Sequence, residues 1–465
     1  MPKGKPHVVA ILPRGEAIRN FVQSGALDRV SEAADLTLIS VVPDPLMIEQ
    51  LTARFPRVFA LEEERERYPV RILRDLLDMA HGRYLWSAAA RERWRLRDAE
   101  ANTGLKRLKR WGKKAVVLPF ANRRGIQLLE RSERKASRVF RVSDRYTELF
   151  ESLKPTLVFN GSHVHSVVAV QAIHAARWAG VPTCTFIFSW DNLTSQGRIL
   201  PQYDYYLVWN EDLKRQLVGL YPEIQPDQVF VTGTPQFDFH FRASEYWSRE
   251  QFCLKVGADP ARPIVLYSTG MPNHMPGEPL IVEQIADMLA EMPDLGPPKL
   301  LVRVYPKDRT GRFDDLKARR PDILFPEARW VDGWLTPTED DNRMLTNTLR
   351  HVDAGINVAS TISLELCMFD KPALNVGYNP PGMDSVRVPY SRYYQYDHYR
   401  PVVESGAVEV AWTAGEMKSM LRDALTHPER RARQRKALID RMFGDTLDGR
   451  SHERVARVLL ALAAG

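Results

Sequence analysis

The sequence predicts an α/β protein built from two doubly wound parallel sheets, on three observations. Short apolar runs alternate with stretches of helical spacing. The runs hold few polar residues, as parallel strands covered by helices on both faces require. The alternation also occurs twice, in stretches that meet near 237–251. The length of 465 residues suits such an organisation.

In the first series, His7–Leu12 reads as a strand, Glu16–Ala34 as a helix and Leu36–Val42 as a second strand. After Pro43 an Arg-rich region over about 62–151 shows helical spacing in Val70–Met79 and Ile126–Phe150, which predicts a helical insertion. The rhythm returns with a strand at Thr156–Phe159, a helix over Ser166–Ala179 and strands at Thr183–Phe188, Tyr205–Trp209 and Gln228–Val231, with a helix from Glu211. The second series has strands at Pro263–Ser268, Lys299–Tyr305, Ala354–Val358 and Ala373–Val376. Its helices are expected near Leu280–Met292, Asn342–His351 and Ser360–Phe369. Ser451–Ala464 reads as an amphipathic helix able to pack on either half, so the expected division is 1–240, 241–445 and 446–465. In open sheets of this kind ligands bind beyond the carboxyl ends of the strands, which places the expected site in a crevice shared by the two halves.

Composition narrows the function classes. Hydrophobic residues make up 44% and charged residues 26%, an ordinary balance for a chain with its own core. The net charge of +7 is unevenly spread: between Ala101 and Val142 there are 13 Lys or Arg, from Lys106 to Arg141, against Glu130 and Glu133. That stretch suits an anionic partner such as a membrane surface or a phosphate-bearing molecule, or else forms a solvated helical face. Trp111, Phe120 and Phe140 are its widely spaced aromatics, a poor match to the interleaving that RNA binding uses, so no nucleic-acid partner is expected. Cys184, Cys253 and Cys367 are scattered and suggest a reducing, cytoplasmic setting. No apolar stretch approaches the length of a membrane span. A P-loop and a G-x-G-x-x-G after the first strand are missing, which weakens NTPase and dehydrogenase readings. Asp314-Asp315 and Asp340-Asp341 read as helix starts rather than metal clamps, and the His163-Val164-His165 pair lacks an evident third ligand.

Four segments carry candidate chemistry. In GINVASTISLELCMFDKPALNVGYN a strand runs into a helix, with Ser360 and Thr361 at the junction. Exposed N–H groups and two hydroxyls there could hold a diphosphate, or Ser360 or Thr361 could be a plain N-cap. Glu365, one turn on, could accept from ribose hydroxyls. LLVRVYPKDRTGR delivers Arg303 and Lys307 to a strand end as phosphate partners, with Arg309 and Arg312 read as solvated surface. VLYSTGMPNHMPGE places Gly270 in a small-residue turn that lets a ligand approach backbone amides. FIFSWDNLTSQGRI follows a buried strand and brings out Trp190, Asp191 and Asn192. An Asp beside a Trp in a partly desolvated site is a candidate general base, with His163 or His165 as alternatives. Asn160 follows the preceding strand, Arg14 and Gly15 follow the first, and VTGTPQFDF supplies Gly233, Thr234 and Gln236 at the junction of the halves.

VTGTPQFD, VRVYPKD and INVASTISLELCMFDKPAL together resemble the C-terminal domain pattern of GT-B glycosyltransferases. The nearest branches are the CDP-glycerol glycerophosphotransferase-like and surface polysaccharide enzymes and the UDP-GlcNAc 2-epimerase group. Tyr305 stands where a K-x-H-P motif has His, and Ala359-Ser360-Thr361 replaces a Tyr-Ser-Ser. The resemblance implies two Rossmann-like domains and a metal-independent, inverting transfer of sugar from a UDP- or CMP/CDP-linked donor to a hydroxyl acceptor in bacterial surface polysaccharide or glycolipid assembly. No further cofactor is implied. It also implies donor contacts from Gly270, Arg303, Lys307, Ser360, Thr361 and Glu365, and an acceptor side, saccharide or polyprenyl-phosphate-linked, in the N-terminal domain with Asp191 as base. The rival readings are nucleotide-sugar epimerisation, phosphoglycerol transfer and a basic membrane- or nucleic-acid-binding module. LKRLKRWGKKAVVLPF, with Leu105, Leu108 and Trp111 three apart, suits peripheral attachment to an anionic leaflet on the inner face of the membrane, or a grip on a polyprenyl-phosphate acceptor.

Overall fold

The computed structural model describes residues 5–41, 45–164, 168–331, 336–383 and 387–465. The chain divides into two compact units: residues 1–238, 332–336 and 446–465 form one, and 239–331 with 337–445 the other.

The first unit is built on seven parallel strands: β1 (His7–Leu12), β2 (Asp35–Ser40), β3 (Val58–Ala60), β4 (Leu157–Asn160), β5 (Thr183–Phe186), β6 (Tyr205–Val208) and β7 (Val229–Val231), in the order β3-β2-β1-β4-β5-β6-β7. β1 lies at the centre: Val8 pairs with Leu36 of β2 on one side and Leu157 of β4 on the other. Its side chains from Val8 to Leu12 are fully buried, which explains the unbroken apolar run. Strand order reverses between β1 and β4, so their carboxyl ends frame the switch point where a doubly wound sheet takes a ligand.

The helix expected over Glu16–Ala34 is interrupted. Gly15–Ile18 passes into a π-turn at Arg19–Gln23, and Gly25, at φ 91°, starts a separate helix, Ala26–Ala33. The insertion is five helices, Tyr68–Leu85, Ala88–Glu100, Gly104–Val117, Arg123–Val139 and Arg145–Leu153, around a small core that includes Leu77, Met79, Ala80, Val117, Ile126 and Leu129. The expected Ile126–Phe150 helix is therefore two. The first is capped by Asn122, whose side-chain oxygen accepts from the Gly125 N–H at 2.9 Å. Its inward face carries Glu130 and Glu133, paired with Arg198 at 2.8 Å and Arg74 at 2.7 Å.

The helix Ser451–Ala464 packs on Ala26–Ala33 and reaches β1 and β4, so it belongs to the first unit. Asp238 holds its start: the N–H of His452 donates to Oδ2 at 2.8 Å and that of Ser451 to Oδ1 at 3.2 Å.

The second unit holds five parallel strands, β8 (Ile264–Ser268), β9 (Lys299–Arg303), β10 (Ala354–Asn357), β11 (Ala373–Val376) and β12 (Val408–Ala411), in the order β12-β11-β10-β8-β9. Its reversal falls between β8 and β10, which pair through Gly355 and Leu266. Gly355 is required there, because a Cβ would come 2.3 Å from the Leu366 side chain of the helix packed on the sheet. Among the described residues no helix is long and apolar enough to cross a membrane.

Candidate functional site

The switch point of the second unit brings the turn after β8 beside the loop after β10. The β10 loop turns at Ala359, a non-glycine residue at φ 41°, a strained conformation held by its surroundings. Those surroundings form a buried amide and hydroxyl network. Asn357 Oδ1 accepts from the Ser360 N–H at 3.1 Å and from Asn375 Nδ2 at 3.0 Å, and the Tyr399 hydroxyl donates to Asn375 Oδ1 at 2.7 Å. Ser363 Oγ lies 3.0 Å from Asn375 Nδ2 and 2.9 Å from the Tyr399 oxygen. Four polar side chains on β10, β11, the helix Ile362–Met368 and a later turn thus fix where Ser360 and Thr361 stand.

Glu365 is buried within that helix, with Oε2 3.0 Å from His240 Nε2, and His240 Nδ1 lies 2.9 Å from the Thr346 hydroxyl. At the end of β9, Arg303 is buried and donates from Nη2 to Asp341 Oδ2 at 2.7 Å; the Trp330 indole N–H donates to the same oxygen at 2.7 Å. The expected phosphate partner thus already has a buried counter-ion. Lys307 is half-buried.

The Gly270 turn is committed internally. Its N–H is shared by the two Glu278 carboxylate oxygens at 3.0 and 2.9 Å, and a Cβ at Gly270 would come 2.2 Å from Met275 Sδ. Glu278 is fully buried, and burial pushes its carboxyl up to about 7 despite Arg312 at 2.9 Å. Arg312 corrects the sequence reading. Rather than solvated surface, it is a half-buried clamp that also donates to Asp308 at 2.5 Å and to the Gly270 carbonyl at 3.0 Å.

In the first unit, the switch point brings Arg14 and Gly15 after β1 beside Asn160 at the end of β4 and His163 just beyond it. Asn160 is fully buried, donating from Nδ2 to the Tyr203 hydroxyl at 2.7 Å, and the Arg14 guanidinium lies 3.2 Å from Glu16. Gly161 allows the close approach: a Cβ there would come 3.0 Å from the Phe21 ring. His163 is buried with Nδ1 3.2 Å from the Phe186 carbonyl, and His165 lies outside the described residues. Beyond β5, Trp190 is buried and Asp191 half-buried. The Ser195 hydroxyl donates to Asp191 Oδ2 at 2.6 Å, while Asn192 Oδ1 accepts from the Ser189 N–H at 2.8 Å. Ser87 and Arg93 of the insertion donate to the carbonyls of Thr194 and Gln196 at 2.9 and 3.1 Å, so the insertion braces the Asp191 loop. Gly233, at φ 73°, lies against Ser451 and Thr446; Thr234 is buried; Gln236 accepts from Arg19 at 3.3 Å.

His240, Glu278 and Tyr399 escaped the sequence reading, and Asp341 entered it only as a helix start, which the helix Glu339–His351 bears out. The available signals were the run QFDFHF for His240 and the carboxylates opening the helix Glu339–His351 for Asp341; Glu278 and Tyr399 had none, since their roles come from tertiary pairing.

No protein-family model and no curated protein matches the sequence. Solved structures do match in fold. UDP-GlcNAc 2-epimerase from Neisseria meningitidis, bound to UDP-GlcNAc, is 13% identical with a TM-score of 0.53, the match covering 98% of this chain and 100% of that one. The Methanocaldococcus jannaschii UDP-GlcNAc 2-epimerase is 12% identical with a TM-score of 0.53, over 97% and 99%. A glycosyltransferase from Rickettsia africae is 10% identical with a TM-score of 0.52, over 98% and 99%. The two parallel sheets with flanking helices, matched along nearly the whole chain by these enzymes, give this protein the GT-B fold.

Proposed function

We propose that the protein is a nucleotide-sugar enzyme that transfers the sugar to a hydroxyl acceptor. One observation carries the reading: at the switch point of the second unit a buried network holds a strained turn that presents Ser360 and Thr361, with the buried Glu365 one turn beyond. Neighbours in fold bind UDP-GlcNAc or are glycosyltransferases, which supports a nucleotide-sugar substrate. Ser360 and Thr361 hold the donor diphosphate in this reading, and Glu365 accepts from the ribose.

Asp191 then acts as base. It takes the proton of an acceptor hydroxyl as that oxygen bonds to the anomeric carbon, and the bond to the departing phosphate oxygen breaks, releasing the nucleotide. The acceptor is a saccharide or lipid-linked hydroxyl. The five-helix insertion bracing the Asp191 loop favours transfer over epimerisation, which needs no acceptor.

Thermal stabilisation by UDP, CMP, CDP, GDP and their sugar conjugates tests the site, since a ligand selective for the native state raises the melting temperature by mass action. One nucleotide should do so, and Ser360→Ala should diminish the shift; silence across the panel overturns the reading. Nucleotide release that depends on an added hydroxyl acceptor supports transfer. Acceptor-free change at the sugar C2 assigns the epimerase reaction instead.

A further inference from the structure

The helix Gly104–Val117 is mounted the wrong way round for a soluble bundle. At 100° per residue, Leu105, Leu108, Trp111, Ala115 and Val116 fall on one side and its Lys and Arg residues on the other. The apolar side faces solvent: Leu105, Leu108 and Trp111 are 63%, 65% and 68% exposed. Part of the basic side is what meets the protein. Arg110 Nε donates to Asp98 at 2.8 Å and Lys114 Nζ to the same carboxylate at 2.6 Å, both cations lie over the Trp94 ring, and Lys113 pairs with Asp75. Thr103 caps the helix start. Folding therefore spends ion pairs to hold an apolar stripe outward, a pattern that single exposed apolar residues do not produce.

The surrounding charge identifies the occupant. The only acids between Ala101 and Val142, Glu130 and Glu133, are buried; their close partners Arg198 and Arg74 lie outside that stretch, and Arg134 within it lies 3.9 Å from Glu130. What this stretch shows to solvent is cationic. Lys109, at the edge of the stripe, and Lys106, farther round the helix, are exposed and pair with no described carboxylate.

We infer that this helix is a membrane-docking surface, lying in the interface of a bilayer rich in anionic phospholipid. The Leu105, Leu108 and Trp111 side chains enter the acyl boundary, and Lys106 and Lys109 meet lipid phosphates. The inference does not depend on the sugar chemistry proposed above. It accounts for an insertion that both carries the stripe and braces the Asp191 loop.

Flotation of the full chain with vesicles of phosphatidylglycerol and phosphatidylcholine tests it, with pure phosphatidylcholine as comparison. The wild type should partition at least tenfold more strongly to the anionic vesicles, and 0.5 M salt should weaken that binding. Leu105→Glu with Leu108→Glu and Trp111→Glu should abolish flotation while the melting temperature stays unchanged, because these side chains are not part of the core. Lys106→Glu with Lys109→Glu, a second exposed pair, should reduce it several-fold. Equal binding to both vesicle types, or flotation unchanged in both variants, overturns the inference. So does a wild-type dimer that the Leu and Trp substitutions convert to monomer, which would assign the stripe to a second copy of the chain.

Discussion

His240 Nε2 lies 3.0 Å from the Glu365 carboxylate, and the opposite ring nitrogen lies 2.9 Å from the Thr346 hydroxyl. The imidazole thus orients the carboxylate from behind, with each ring nitrogen engaged. His240→Ala should leave Glu365 buried without that partner and weaken nucleotide binding about tenfold, as the loss of one charge-assisted hydrogen bond implies. Titration calorimetry with the stabilising nucleotide measures it, and Glu365→Gln should weaken binding similarly. Unchanged affinity in both variants would remove Glu365 from the ribose role.

The Arg303–Asp341 pair has both side chains nine-tenths or more buried. Asp341→Ala should cost about 3–5 kcal/mol in urea unfolding, because it strands a buried guanidinium and leaves the Trp330 N–H without its acceptor. Arg303→Ala should also lose stability, so a ligand effect in that variant must be judged against its own unfolding curve.

Gly233→Ala should destabilise the first unit by about 1–3 kcal/mol, through the positive φ and the close approach to Ser451 and Thr446. Gly180→Ala, at φ 70° but with open space around its Cβ position, should cost less, and the difference between their denaturant midpoints isolates the steric part.

Glu278 and His81 should tilt stability in opposite directions with pH. Burial raises Glu278 from 4.5 to about 7, so the native state holds that proton more tightly than the unfolded chain. Its contribution is full below about pH 4.5 and declines as pH rises toward 7, and Glu278→Gln should remove that decline.

Burial instead lowers His81 from 6.5 to about 3, where its ring lies tilted against Tyr221 with ring centroids 5.6 Å apart. Its contribution is full above pH 6.5 and lost as pH falls toward 3, so His81→Phe should flatten the acid limb of a stability–pH curve measured by urea melts.

The strands around each switch point were legible because both their faces are buried, so β1, β4, β8 and β10 read as apolar runs. β3 and β12 were not. β3 is three residues with Phe59 and Ala60 exposed, and β12 interrupts its apolar pattern with Glu409. For the candidate site, the strand-end positions of Ser360, Thr361, Asn160 and Asp191 followed from local pattern. The partners of Gly270, Arg303 and Glu365 did not, because Glu278, Asp341 and His240 reach them from other elements, and a single sequence carries no local mark of such pairing.

The docking of Ser451–Ala464 on the first unit has a consequence during synthesis. Val455 and Leu459 are fully buried against a unit whose sheet is encoded more than two hundred residues earlier. On the ribosome, the N-terminal sheet emerges whole yet waits for this helix until all of the second unit has been translated. In the interval the Ala26–Ala33 face stands uncovered in the nascent chain, a natural target for chaperones. A chain stopped before Ser451 would keep every strand and still lack the helix that covers that face of the first unit.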